Sequence, residues 1–171
     1  MIKKTIMCII TCVIVCMFSF YMPQRSLAQN TNDDLLLDFI RETFPSAVVY
    51  EEPKTSDDWI VIYDPEQKII GYATITSPYT DDILGHVGPI SLLICIDTRE
   101  RIESVKLLQH FETIGLMEIL AENGFLDTWN GEAWDRAIER EVDAISGATV
   151  STQAIIDSVK KRLGMMKAPK K

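Results

Sequence analysis

Pro89-Ile90-Ser91-Leu92-Leu93-Ile94-Cys95-Ile96-Asp97 is a nearly continuous apolar run, and its reading decides the fold. A strand with one wet face alternates apolar and polar residues, whereas an unbroken run implies burial on both faces. Thr98-Arg99-Glu100 turns this strand into a further one, Ile102 to Leu108. Upstream, Val48 to Tyr50 and Trp59 to Tyr63 are rich in β-branched and aromatic residues and read as strands. Asp64-Pro65-Glu66-Gln67 is a turn, with proline presetting the backbone angle, and Lys68 to Thr76 returns as a third strand. Gly71 inside it points to a bulge or a close backbone approach.

Helices flank these strands in the sequence. Leu36, Phe39, Ile40 and Phe44 recur at helical spacing behind a cap at Asn32 or Asp33, and Pro45 stops the run. Ser77 to Val87 reads as a loop. Ile114 to Glu122 predicts a short helix ended by Asn123-Gly124, and Trp129-Asn130-Gly131 a turn before a helical stretch, Glu132 to Ile138. After an extended piece at Val142, a last helix carries Ile155, Ile156, Val159 and Leu163 on one face. Consecutive strands with short turns predict a largely antiparallel, twisted sheet flanked by helices, a single α+β domain.

The N-terminus has a different character. Met1-Ile2-Lys3-Lys4 is basic, Thr5 to Met22 carries no charge, and Ser26-Leu27-Ala28 offers small residues to a signal peptidase. Residues 1–28 therefore read as a secretory signal cleaved after Ala28 or, uncleaved, as a membrane anchor; both export the remainder of the chain. Cys8, Cys12 and Cys16 lie in this segment, leaving only Cys95, which its apolar surroundings mark as a buried thiol. Lys3, Lys4 and Arg25 are the only charged residues of that segment. Of the 17 Lys and Arg, 14 remain against 25 Asp and Glu, a formal charge of −11. Such a surface excludes a nucleic-acid partner and disfavours anionic lipid. The basic end from Lys167 to Lys171 reads as a frayed tail.

The chemistry concentrates in Asp143-Ala144-Ile145-Ser146-Gly147-Ala148-Thr149. Small residues admit a ligand close to the backbone, and Gly147 permits angles that other residues resist. The segment opens a helix, whose first amides lack internal partners and can seat a phosphate beside the Ser146 and Thr149 hydroxyls. Read alone, the same residues are more simply a capped helix start, with Ser146 or Asp143 accepting an amide proton and nothing bound.

The wider pattern resembles the FMN-binding domain family. That family includes flavoprotein subunits of the sodium-translocating NADH:quinone reductase and of the Rnf complex, and the exported domain of the nitrous-oxide-reduction regulator. Beyond Val142 to Thr149, Gly85-His86-Val87-Gly88-Pro89-Ile90 is similar to the family's glycine-proline approach to a central strand. His110-Phe111-Glu112-Thr113-Ile114-Gly115-Leu116 is similar to its His-x-Glu-Thr-Pro-Gly segment. Ile114 stands where proline is usual and Met117 where a second glycine often occurs, and Val150 is followed by Ser151-Thr152 rather than threonine before serine.

The resemblance runs from about Gly71 to Leu163. It implies an FMN-binding core over 71–163, preceded by an N-terminal helix and first strands over 29–70 and followed by a flexible tail, 164–171. It implies FMN esterified to Thr149 by a flavin transferase outside the cytoplasm, with Asp143, Ser146, Gly147 and Ala148 as that enzyme's recognition sequence. Glu112 and Thr113 would lie beside the flavin ring, and Gly115 would leave room for it. The expected protein is an extracytoplasmic electron carrier or redox subunit rather than a stand-alone enzyme. Its partner would be a quinone- or iron–sulfur-dependent membrane redox protein. The alternative is a redox-sensing or accessory FMN-binding module for a membrane partner.

Other residues fit plainer roles. His86 and His110, the only histidines, read as hydrogen-bonded structural residues, and Trp129 and Trp134 as core rather than flavin-stacking groups. Asp81, Asp82, Glu139 and Glu141 read as a solvated face. No paired carboxylates, nucleophile–base spacing or metal-ligand spacing points to a hydrolase or a metal site.

Overall fold

A computed structural model describes residues 31–169. The signal or anchor, its cysteines and Lys170-Lys171 lie outside the described residues. Helix α1 (Thr31–Thr43) precedes strands β1 (Val49–Glu51), β2 (Ile60–Tyr63), β3 (Ile69–Ile75), β4 (Ser91–Asp97) and β5 (Ile102–Gln109). Helix α2 (Ile114–Glu122), a 3-10 turn (Phe125–Trp129), α3 (Trp134–Ala137) and α4 (Thr149–Met165) follow. The five strands form one sheet in sequence order, every neighbouring pair antiparallel. This is the α+β arrangement that consecutive strands and short turns predict.

The apolar run is β4, and it is buried on both faces. Leu92, Ile94 and Ile96 join one cluster with Ile102 and Val105 of β5 and Ile155, Val159 and Leu163 of α4. Leu93 and Cys95 join the other with Ile60, Ile62, Ala73 and Ile40 of α1. The period of two along the strand divides its side chains between these layers. Burying Ile155, Val159 and Leu163 stabilises the α4 layer by roughly 1.5–3 kcal/mol per side chain. Cys95 is fully buried, and burial pushes its thiol up to about 11, so it stays protonated at neutral pH.

The two hairpin turns share one design. Asp64 N–H donates to Lys68 O (3.1 Å) and Gln67 N–H to Asp64 O (3.0 Å); Asp97 N–H donates to Arg101 O (2.8 Å) and Glu100 N–H to Asp97 O (3.0 Å). Each aspartate carboxylate then accepts backbone amides of its own turn, from Lys68 in one and from Arg99 and Arg101 in the other. Gln67 (φ 60°) and Glu100 (φ 67°) occupy the left-handed position that these turns require. The expectation at Gly71 holds in both senses. The β2–β3 register shifts between Ile62 and Tyr63, and a Cβ on Gly71 would sit 2.5 Å from the Phe44 ring and 2.9 Å from Ile96 O.

Several boundaries differ from the sequence expectation. Helix α1 includes Asn32 and Asp33 instead of starting after them. The 3-10 turn Phe125–Trp129 falls where no element was expected, between Gly124 (φ 57°) and Asn130. Its apolar residues are too few for a helical period, but Phe125 and Trp129 are buried edge-to-face, 5.8 Å apart. The tail is anchored rather than frayed as far as Pro169. Gly164 and Met165 belong to α4, Lys167 N–H donates to Asp57 O (3.1 Å), and the Trp59 indole donates to Lys167 O (2.7 Å). Among the described residues no helix is long and apolar enough to cross a membrane.

Gly71→Ala should destabilise the domain by about 2 kcal/mol, because one methyl must displace the Phe44 ring and a strand carbonyl. Chemical denaturation that leaves the midpoint unchanged would refute that packing. The tail has its own pH window. Lys167 and Thr55 hold the Asp57 carboxyl well down, from 3.8 to about 2. A carboxyl lowered in the folded state stabilises fully above its ordinary value and loses that contribution as pH falls through the folded one. Acidification from pH 3.8 to about 2 should therefore weaken the contact between Asp57 and Lys167, with a change in Trp59 fluorescence before global unfolding.

Candidate functional site

The register of β4 against β5 assembles two of the three site segments. Ser91 at the start of β4 faces Gln109 at the end of β5. The Gly85–Ile90 approach to β4 and the His110–Gly115 departure from β5 are thereby brought to the same end of the sheet. There the approach closes on itself, with Leu84 bridged to Pro89 and Gly85 N–H donating to Gly88 O (2.8 Å). Gly88 then packs on Phe111, where a Cβ would lie 3.3 Å from the ring.

Two hydrogen bonds fasten this loop. Glu112, only 9 % exposed, accepts the Val87 N–H at 3.0 Å through Oε1. A Cβ on Gly85 would lie 2.2 Å from that same oxygen, so a side chain there would push the carboxylate from its place. Ser151, in the first turn of α4, accepts the His86 N–H at 3.2 Å and supplies the third segment.

The Ser-Gly-Ala-Thr turn is built from inside by Thr152. Its hydroxyl, fully buried, accepts the Ile145 N–H (3.1 Å) and donates to Ala148 O (2.9 Å). Ala148 N–H returns to Ile145 O (3.0 Å), and Gly147 takes φ 88°. The cap of α4 is Ala148, and no side chain caps the helix. The bland reading, with Ser146 or Asp143 capping, is therefore not the arrangement adopted. The first amides of α4 are left for water or a ligand, at the positive end of a 17-residue helix.

These parts border a cleft of about 480 Å³, lined by His86, Glu112, Thr113, Gly115, Leu116, Ile119 and the stretch Gly147–Ser151. That volume is within the roughly 300–1,000 Å³ of small-molecule sites. Of the sequence-predicted residues, Thr149, Gly147, Ala148, Glu112, Thr113 and Gly115 meet here. Asp143 and Ser146 are exposed and do not line the cleft. Thr149 is the exposed first residue of α4, its hydroxyl donating to Ile145 O at 3.2 Å. A Cβ on Gly115 or Gly147 would meet nothing within 4 Å, so both positions are open. A larger cleft of about 590 Å³ runs along β5 between α1 and the 3-10 turn, and contains no residue of the signature.

Sequence reading missed Ser151, Thr152, Leu116 and Ile119. Leu116 and Ile119 are ordinary apolar residues of an amphipathic helix, with no local mark of a cleft wall. The order Ser151-Thr152 was visible, but its meaning depends on contacts 65 residues away and across the turn. His86 lines the cleft, while its structural bond comes from the backbone rather than the imidazole. Trp129 and Trp134 are core, and Asp81, Asp82, Glu139 and Glu141 are exposed.

Fold and site together define a small α+β domain with an uncapped helix start facing a cleft. Residues 85–164 match the FMN-binding domain family. The chain thus carries an FMN-binding domain, and FMN is its cofactor. The match starts at Gly85, so β1 to β3 lie outside it although they complete the sheet. No curated protein matches the chain.

Glu112→Ala should free the 85–88 loop. Hydrogen exchange at the Val87 amide should accelerate by about 10-fold or more, the loss of a bond to a charged acceptor, and Glu112→Gln, which keeps an oxygen there, by less. Wild-type exchange in both variants would show that the carboxylate does not hold the loop.

Proposed function

We propose that this is an exported electron-transfer flavoprotein whose FMN is joined by a phosphoester to Thr149. The observation that carries the reading is the position of Thr149, exposed at the first turn of an uncapped helix, on the rim of the cleft. Amides at a helix start favour a phosphate, and a hydroxyl beside them is placed to be esterified. Esterification removes the Thr149 hydroxyl proton, so the bond to Ile145 O is exchanged for the phosphoester. Condensation with loss of water is unfavourable in water. The reaction calls for a flavin transferase and a pyrophosphate-linked flavin donor. One P–O–P bond breaks as the Thr149 Oγ–P bond forms, and a nucleoside monophosphate leaves. Ser146 and Asp143, exposed on the approach to the turn, are free for that enzyme to read.

Bound FMN supplies the redox chemistry; the chain supplies position and surroundings. Leu116 and Ile119 offer an apolar wall, Gly115 admits the cofactor close to the backbone, and the exposed Thr113 hydroxyl can hydrogen-bond a ring nitrogen or oxygen. Glu112 acts through the 85–88 loop, since its Oε1 is engaged by Val87 N–H. The basic start and uncharged run of residues 1–28 support export, and covalent attachment suits a cofactor that cannot easily be replaced outside the cytoplasm. The electron partner in this reading is a membrane redox protein.

Co-production with a flavin transferase should give a flavin-fluorescent band on a denaturing gel. Thr149→Ala should abolish that fluorescence with the fold intact by circular dichroism, and Thr149→Ser should retain part of it. A folded wild-type protein without fluorescence, or a fluorescent Thr149→Ala, would falsify the attachment.

A further inference from the structure

Five of the eight large hydrophobic side chains that stand exposed among the described residues belong to the cleft lining or lie within two positions of a residue that does. Leu84, Val87, Phe111, Ile114 and Val150 are each 55–80 % exposed. The first two belong to the loop before β4, Phe111 and Ile114 flank Glu112 and Thr113, and Val150 follows Thr149. Of the five only Val150 lines the cleft, so a ligand within the cleft leaves the other four facing solvent. Apolar groups gathered like this mark an interaction surface, whereas scattered ones need no explanation.

The charges around the opening decide what fits it. The segments Thr80–Ile90, His110–Leu120 and Asp143–Gln153 contain Asp81, Asp82, Glu112, Glu118 and Asp143, and no lysine or arginine. Lys161 of α4 reaches Asp82 at 2.6 Å, and Glu112 is turned inward to Val87. Asp81, Glu118 and Asp143 remain exposed. Glu118 lies one helical turn beyond Ile114 and so on the same face of α2. An anionic bilayer would be repelled by this fringe. A protein with an apolar centre ringed by Lys and Arg would be attracted to it.

We infer that the rim Leu84, Val87, Phe111, Ile114 and Val150 is the docking face for a basic-ringed electron-transfer protein, which meets the cofactor at the mouth of its cleft. The inference rests on the proposed flavin function and deepens it by naming the partner's surface chemistry.

A basic c-type cytochrome with a lysine-ringed haem edge is a suitable probe, with an acidic cytochrome of similar size as control. Calorimetric titration of the FMN-loaded protein should show binding of the basic probe alone. Its Kd should rise at least about 10-fold between ionic strengths of about 0.02 and 0.5 M, as screening predicts. Ile114→Ser and Phe111→Ser should each weaken binding about 10-fold with the flavin spectrum unchanged, since both side chains are surface anchors. Glu118→Lys should weaken it through charge alone, whatever the apolar variants do to folding.

Equal binding of both cytochromes, salt-independent affinity, or wild-type affinity in all three variants overturns the docking face. So does rim-dependent association with vesicles of anionic phospholipid, which would assign the rim to a membrane. A colourless protein after co-production with the transferase sinks the flavin function, and this inference with it. A yellow protein indifferent to the basic probe sinks only the docking face.

Discussion

Burial of β4 on both faces is the constraint on which the rest of the structure depends. A strand whose side chains all avoid water needs a layer above and a layer below, and the chain supplies α1 on one side and α4 on the other. Once α4 lies along β4, its start comes to the end of the sheet where β4 begins and β5 finishes. Residues near 86, 112 and 149, far apart in sequence, thus become neighbours by topology. The site is a product of the core, so damage to β4 or α4 would disperse it without touching any residue that faces the cofactor.

Within that frame, Thr152 and Glu112 do the same kind of work at different places. Thr152 uses a buried hydroxyl to satisfy both the Ile145 N–H and the Ala148 carbonyl, holding the turn without any external cap. Glu112 uses a buried carboxylate to hold the Val87 N–H. Both bonds satisfy backbone groups that would otherwise be costly to bury. The α4 amides keep their capacity for a ligand because the turn is braced from behind, and the loop before β4 keeps its apolar tips outward because it is clamped from within.

Much of the fold was legible because its signals are local. The apolar run of β4, the Asp64-Pro65 turn, the Ile114–Glu122 helix and the apolar face of α4 each depend on residues within a few positions of one another. The 3-10 turn and the docked tail were not. The first depends on Gly124 and on Phe125 meeting Trp129, the second on Asp57 and Trp59, more than 100 residues before the tail. At the site, the sequence located the signature, Glu112, Thr113 and Gly115. It could not tell which side chains face a ligand and which face the backbone. Glu112 illustrates the point: it lines the cleft, and its Oε1 is at the same time turned inward to the Val87 N–H.

That inward turn has a chemical consequence for the site. With Glu112 engaged, the remaining side-chain lining of the cleft consists of the hydroxyls of Thr113, Thr149 and Ser151, the imidazole of His86, and apolar groups. Glu112 is the one carboxylate among these cleft residues, and its Oε1 is directed to the Val87 N–H. A phosphate at Thr149 would meet the positive end of a helix, a favourable arrangement that a Glu112 released from Val87 would weaken. Asp81, Glu118 and Asp143, on the same three segments, are by contrast exposed. Of the acids in these segments Glu112 alone is buried, so the charge that does not hold the loop stands toward solvent.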